Sequence, residues 1–583
     1  MLERTLDIDN TPGTNIAGEF SETNWLFLLP TLDLRRVVCI GFPPTQTLVA
    51  LRGLTRHLLV VVPAPEEPTT AVPAGVDLVL ADPNRSLPVR AGCADLVMVG
   101  GQLSQRHCRE VNQVIAPGGS IWFGTDSSWC VVERRLSARP LVLAPFSPGA
   151  ALPSPPDSGQ PVCCWVPASS GPPLHLARAY RQGMRVMRRG MTRAVRVLGV
   201  RGRITSPDSA VRVSSDQGSL LAPSPGPRRR GRYGSLLVSP GAAPDLGPPG
   251  WLRKMAAEEG HDLDGWRWGM SRTSEYESQK LLLFLYEPAN PRPALVVKIT
   301  RSRRFNDRLE TEISALRDLE VAGVVEPATV PRIAFSGRPG GLVVAAETAL
   351  HGAPFRQRSS GEPDCPLALA AVNWLLRLGS ATADRSSVSP ALAAERMTLL
   401  VARFRQVYDP PARISGFLEE QLAQVDSAKA FPVVFAHGDA GNWNLLVSDD
   451  GRVAFLDWEN AEPLGVPLWD LFYFLQTYGV WAASVAGIRY GPKVFTRQLL
   501  LDSPFHRLLV RTTAQYCAVT RLPPELVSPL FHLFLVQQAV REGLRLSPAG
   551  LARGRYVQLL DQSTGHRGAL AMTGNEDVEG RLR

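Results

Sequence analysis

Between residues 25 and 125 the chain runs through short blocks of consecutive apolar residues, separated by turn signals and helical stretches. The blocks 36–40 (Arg-Val-Val-Cys-Ile), 57–62, 77–80, 95–99 and 120–123 (Ser-Ile-Trp-Phe) predict five strands. Strands that are apolar throughout, rather than alternating, imply a parallel sheet covered on both faces. Beyond residue 246 the pattern changes to mixed and then mostly helical. Strands are predicted over 281–286, 294–299 and 342–346. Helical periodicity marks 366–379, 390–408, 413–428, 467–484, 505–518 and 524–545. No internal repeat is visible.

A length of 583 residues exceeds one hydrophobic core and predicts two to four domains. Two stretches rich in Pro, Ser and Gly, 150–172 and 204–250, read as linkers. Between them, 174–203 carries nine Arg and no acid, with Leu176, Tyr180, Met184, Met187 and Met191 at helical spacing. Such a helix could lie on an anionic membrane surface, or pack on a neighbouring domain with its Arg face in water. Only five Lys occur, so Arg supplies nearly all of the net charge of +9. A chain rich in Arg, Ala, Gly and Pro reads as compositional bias, and nucleic acid is not an expected partner. The N-terminus lacks the pattern of a secretory leader, and no apolar run is long enough to cross a bilayer. Eight scattered Cys without a C-x-x-C pair suggest neither zinc nor a disulfide framework, and a reducing cytoplasm is the expectation.

The chemistry concentrates in 433–459. An apolar strand delivers His437-Gly438-Asp439, Asn444 follows five residues later before a second strand, and a turn at Asp449-Asp450-Gly451 leads to a third strand ending at Asp457. Three oxygen-bearing side chains thus come to neighbouring strand ends. Magnesium wants a few hard oxygens plus phosphate oxygens, and a carboxylate left off the metal can accept a hydroxyl proton. Phosphoryl transfer needs that layout. Upstream, Leu295-Val-Val-Lys298-Ile sets a rare Lys at the end of an apolar strand, and the next helical stretch offers Glu310 and Glu312.

These residues resemble the aminoglycoside phosphotransferase and choline kinase family, which shares a two-lobed protein-kinase-like fold. The resemblance rests on His437-Gly-Asp439-x-x-x-x-Asn444-Leu, Leu456-Asp457-Trp-Glu459 and the downstream Gly465-Val-Pro467-Leu-Trp-Asp470. It implies Asp439 as catalytic base, Asn444 and Asp457 as magnesium ligands, and His437 and Asp470 as supports of the catalytic loop. It further implies that Lys298 holds ATP phosphates and that Glu312, with Glu310 as fallback, pairs with that Lys. Glu347 would mark the adenine-binding hinge. The phosphate-covering loop would be Gly269-Met-Ser271-Arg-Thr-Ser274, with Ser271 and Ser274 near the nucleotide and only one Gly.

The N-terminal layout resembles a class I S-adenosylmethionine-dependent methyltransferase, through Asp82-Pro-Asn-Arg-Ser-Leu87-Pro88, Asp95-Leu-Val and Glu110 to Pro117-Gly118-Gly119. It departs at the first loop, Ile40-Gly41-Phe42-Pro43-Pro44-Thr45, where the family has several glycines, and at Pro63, where it has an acid. These departures point to a degenerate copy used for scaffolding or substrate recognition, with S-adenosylmethionine a doubtful cofactor.

The expected architecture is therefore multidomain, α/β and α+β. It comprises a Rossmann-like parallel sheet over 1–150, a linker with a basic helix over 151–245, a kinase-like domain over 246–565 and a flexible tail over 566–583. The expected activity is ATP- and magnesium-dependent phosphorylation of a hydroxyl on a small metabolite such as a sugar, amino alcohol or glycan precursor. The alternatives are a methyltransferase with an accessory kinase-like domain, and a non-catalytic nucleotide-binding scaffold held at a membrane by 174–203. The aromatic group Trp469, Phe472, Tyr473, Phe474, Tyr478 and Trp481 reads as helix core before it reads as a choline cage.

Overall fold

A computed structural model of the chain describes residues 26–27, 29, 31–43, 45–63, 74–81, 86–99, 110–111, 113–123, 141–144, 163–165, 236–238, 247–270, 280–290, 292–384, 388–551, 553–566 and 568–570. They belong to two compact units, Met1–Asn306 with Ala334–Glu347 and Asp307–Ile333 with Thr348–Arg583. The stretch 174–203, nearly all of the expected linker and tail, Asp82–Arg85, Ser271 and Ser274 lie outside the described residues.

In the first unit β1 (Leu34–Ile40), β2 (Thr55–Pro63), β3 (Asp77–Ala81), β4 (Ala94–Val99) and β5 (Ile115–Phe123) form a parallel sheet in the order β3-β2-β1-β4-β5. Successive side chains of these strands serve two cores. Val37, Cys39, Val60, Val62, Leu96 and Met98 enter one, and Val38, Ile40, Val61, Val97, Val99 and Ile121 enter the other. A strand buried on both faces has no polar side to show, which is why its sequence does not alternate. β6 (Leu141–Ala144), β7 (Cys163–Trp165) and β8 (Leu236–Val238) continue the sheet in the order β5-β8-β6-β7, with β8 antiparallel to β5.

β5 corrects the expected strand 120–123 and the expected turn at Pro117-Gly118-Gly119. The strand begins at Ile115, and its register on β4 jumps between Ala94↔Ile115 and Leu96↔Ser120. The extra residues bulge out of the ladder. Gly119 is required there, because a Cβ would stand 2.7 Å from Ile115 Cγ1 and 2.9 Å from Asp95 O.

The same unit holds β9 (Arg267–Met270), β10 (Lys280–Tyr286), β11 (Leu295–Thr300), β12 (Ile333–Gly337) and β13 (Val344–Thr348), in the order β12-β13-β11-β10-β9. Leu281, Leu283, Leu285, Val297, Ile299 and Val344 share a single apolar core with β1 residues and with Trp251, Leu252 and Met255 of the helix Gly250–Glu258. Trp251 Nε1 donates to Phe27 O at 3.1 Å, which closes that core. β9 and this helix carried no sequence signal strong enough to be predicted.

The second unit contains the helix that starts at Asn306 and ends at Ala322, the long helices Pro366–Thr382, Pro390–Tyr408, Ala412–Asp426, Trp469–Val485, Pro504–Thr520 and Val527–Gly543, and short strands. These strands are β14 (Ala353–Pro354), β15 (Val434–Ala436), β16 (Leu445–Val447), β17 (Val453–Phe455) and β18 (Glu462–Gly465). The predicted helix at 467 begins two residues later, because Leu468 takes a left-handed φ of 68° at the cap. The predicted helix at 524 opens as a separate 3-10 turn, Pro524–Leu526, before Val527. Trp469, Phe472, Phe474 and Tyr478 are buried in the helical core, as expected for an aromatic stripe at helical spacing.

Candidate active site

The strand β15 ends in Ala436 and hands the chain to His437-Gly438-Asp439. Gly438 has φ 77°, and a Cβ on it would collide with Asn460 O. Only glycine allows the turn that brings Asp439 forward. Asp470, in the first turn of its helix, holds this turn by its backbone: Oδ2 accepts His437 N–H at 2.6 Å and Oδ1 accepts Gly438 N–H at 2.9 Å. From another helix, Arg541 donates to Gly438 O at 2.7 Å. The loop is thereby fixed from both sides.

His437 is fully buried, and its ring lies 4.4 Å from that of Trp458. Its Nδ1 faces the Asp439 N–H at 3.3 Å, so Nε2 carries the proton and donates to Leu456 O at 2.9 Å. Burial lowers its pKa to about 4, against the raising influence of that carbonyl and of Asp457 and Glu312. His437 is a neutral strut between the loop that carries Asp439 and the strand that leads to Asp457.

Asp439 is half-buried, and burial raises its pKa to about 6. The Tyr473 hydroxyl, Arg541 and Asn444 pull it down, while Asp457 pushes it up. Asn444 Nδ2 donates to both Asp439 O at 2.9 Å and Asp439 Oδ2 at 3.0 Å. That amide orientation sends the Asn444 carbonyl oxygen away from Asp439. β16 and β17 pair antiparallel through the Gly451 turn, with Leu445 opposite Phe455, so Asn444 and Asp457 flank one end of the hairpin. Asp457 has φ 66°, a strained value that Asp tolerates better than most residues. Glu312, fully buried on its helix, accepts Trp458 N–H at 2.9 Å beside Asp457, whereas Glu310 is only partly buried. The sequence reading assigned Glu312 to the lysine and did not foresee this backbone bond.

An amide oxygen and a carboxylate at this spacing suit a hard divalent ion completed by phosphate oxygens. Among the described residues no group of three or more His, Cys, Asp or Glu could hold a metal without such help.

In the first unit Lys298 is 8% exposed and pairs with Glu347, Nζ to Oε2 3.0 Å. Glu347 was expected as a hinge marker, and its carboxylate pairs with Lys298, which the sequence did not foretell. Trp443, within the catalytic loop, is 47% exposed and meets Tyr473 edge-on at 5.7 Å. Arg356 lies over the rings of Trp443 and Trp481 at 5.3 and 5.9 Å, tethered by Nε to Asn442 Oδ1 at 2.8 Å. The cation that an aromatic cage would seek is thus already supplied from within the chain. Arg541 and Tyr473 were missed as loop and base partners, since neither stands in a motif.

Residues 284–494 match the family model described as the phosphotransferase enzyme family, APH. The C-terminal part of the chain carries a domain of this phosphotransferase family. The match spans β11, β13, the His437–Asp439 turn and the hairpin that ends at Asp457. Among solved structures, aminoglycoside phosphotransferase APH(3'')-Id from Streptomyces rimosus is 16% identical, covering 47% of this chain and 98% of its own, with TM-score 0.26. The same protein in complex with ADP and streptomycin is 15% identical over 42% of this chain and 91% of its own, with TM-score 0.25. Choline kinase LicA from Streptococcus pneumoniae is 14% identical over 50% and 91%, with TM-score 0.26. No curated protein matches the chain. Among the described residues no helix is long and apolar enough to cross a membrane.

Proposed function

We propose that this protein transfers the γ-phosphoryl group of ATP to a hydroxyl of a small metabolite. The observation that carries the reading is the Asp439 carboxylate, held by Asn444 and Tyr473 on a loop braced by Asp470 and Arg541. The acceptor oxygen forms a bond to the γ-phosphorus, the bond to the β,γ-bridging oxygen breaks, and ADP leaves. The hydroxyl proton passes to Asp439, which at neutral pH is ionised and able to take it. Magnesium would be held by the Asn444 carbonyl oxygen and the Asp457 carboxylate, and would neutralise phosphate charge. Lys298 supplies the cation for the nucleotide phosphates, with Glu347 fixing its ammonium until phosphate competes for it. Glu312 keeps Trp458, and so Asp457, in place.

We read the N-terminal parallel sheet, ordered β3-β2-β1-β4-β5, as a degenerate methyltransferase-like domain. Its loop after β1 does not suit S-adenosylmethionine. The Gly41 N–H is spent on Val61 O at 2.8 Å, and the two prolines that follow offer no donors. No step is assigned to that cofactor, and the sheet serves as scaffold.

The test is ADP release by the full-length protein with ATP and magnesium, against sugars, amino alcohols and their derivatives. Release that depends on an acceptor and collapses in Asp439→Asn supports the reading. Release indifferent to both acceptor and variant sinks it.

A further inference from the structure

Next to the catalytic base, in the same unit, three buried polar atoms have no hydrogen-bond partner among the described residues: Gln476 Nε2, Tyr490 Oη and Arg555 Nη2. They form one group. The Arg555 guanidinium lies between two rings, 5.1 Å from the centre of Tyr490 and 5.6 Å from that of Tyr556. The Tyr490 hydroxyl lies beside the Gln476 amide, close enough for a weak hydrogen bond between the two, so the unanswered donor of the group is Arg555 Nη2. Tyr556 Oη donates to Gln476 Oε1 at 3.2 Å and so turns the amide's NH2 toward Tyr490. Gln476 is 1% exposed.

The group continues to the reacting end. Tyr556 feels the charges of Asp439 and Arg541, and Tyr473 touches both Asp439 by a hydrogen bond and Tyr556 by its field. Tyr473 and Tyr556 thus bring the group within electrostatic reach of Asp439.

Each buried donor left unpaired costs on the order of 1–3 kcal/mol. Here all three atoms can donate, and one belongs to a permanent cation. Neither Arg541 nor Arg555 forms an ion pair among the described residues, and the nearby Glu542 carboxylate is spent on Tyr556 N–H at 3.0 Å. The Arg555 cation, with one donor unanswered and no ion pair among the described residues, calls for anionic oxygen.

We infer that the acceptor carries, besides its reacting hydroxyl, a carboxylate or phosphate group bound by Arg555, Tyr490 and Gln476. This deepens the phosphotransferase reading and rests on it. The transfer itself is unchanged: the hydroxyl oxygen gains the phosphoryl group, Asp439 takes the proton and ADP leaves.

The experiment is direct binding to the full-length protein without nucleotide, by saturation-transfer NMR and thermal shift. The probes are glucose, glucosamine, glucuronate and glucose 6-phosphate. They share one scaffold and separate neutral, cationic, carboxylate and phosphate chemistry. At least one anionic sugar is expected to bind tenfold or more tightly than glucose, and glucosamine no better than glucose. Arg555→Met is expected to abolish that preference, Arg555→Lys to restore part of it, and Tyr490→Phe to weaken it several-fold while the melting temperature holds. Where turnover is seen, the same variants should raise KM for the anionic acceptor and leave KM for ATP unchanged. Anionic sugars that bind no better than glucose overturn the inference, and so does an undiminished preference in Arg555→Met, which would mean that only water satisfies these atoms. Because binding is read without ATP, either result is separate from a failure of phosphoryl transfer.

Discussion

At the scale of single residues the design is a carboxylate kept close to its working range. Burial pushes Asp439 up to about 6, and Arg541, Tyr473 and Asn444 hold it there. In its proposed role as base it must be ionised, so the rate should rise with pH through about 6 and level off above. Asp439→Asn should cost roughly a hundred- to ten-thousand-fold in kcat. Removing the cation in Arg541→Met lets the pKa rise further, so the acidic limb of the pH–rate profile should move to higher pH, and Arg541→Lys should move it partly back. An unmoved limb in Arg541→Met would show that Arg541 acts only as a tie to Gly438. Gly438 itself admits no side chain, because its φ is left-handed and Asn460 O fills the Cβ position. Gly438→Ala should lower unfolding free energy by at least about 2 kcal/mol in denaturant titration.

At the scale of elements, most of the regular structure was legible because the apolar patterns were unambiguous. The helix Pro390–Tyr408 has the predicted bounds, and the first four parallel strands differ from expectation by two residues at most at either end. What stayed hidden was set by contacts remote in sequence. β5 starts early because Gly119 must pass close to Asp95 O, a fact of the neighbouring strand. Asp439, Asn444, Asp457, His437 and Asp470 were legible since they stand at fixed spacing within one stretch. Arg541 was not, being one of many arginines on a late helix, and the pairing of Glu347 with Lys298 depends on the neighbouring β11. That pairing yields a double-mutant test. Lys298→Met leaves the buried Glu347 carboxylate without its ion-pair partner and should destabilise by about 3 kcal/mol. Adding Glu347→Gln should recover much of the stability and none of the activity, as read by thermal melts and ADP release.

At the scale of the whole molecule, composition divided the chain at its Pro-, Ser- and Gly-rich stretches, while packing joins what they separate in sequence. The apolar core under β10, β11 and β13 is completed by Leu26, Phe27, Leu29, Leu32 and Leu34 and by the β1 side chains. A fragment that begins at residue 246 would open that core to water. It should therefore melt well below the full-length protein or aggregate, and a fragment as stable as the full chain would contradict this shared core. The most direct measurement is phosphorus NMR of the full-length protein with ATP, magnesium and an acceptor that it binds. ADP and a phosphomonoester are expected to grow in equal amounts as ATP falls, with both lost in Asp439→Asn. Inorganic phosphate as the sole product, or an Asp439→Asn variant that forms the ester at the wild-type rate, would contradict the proposed transfer.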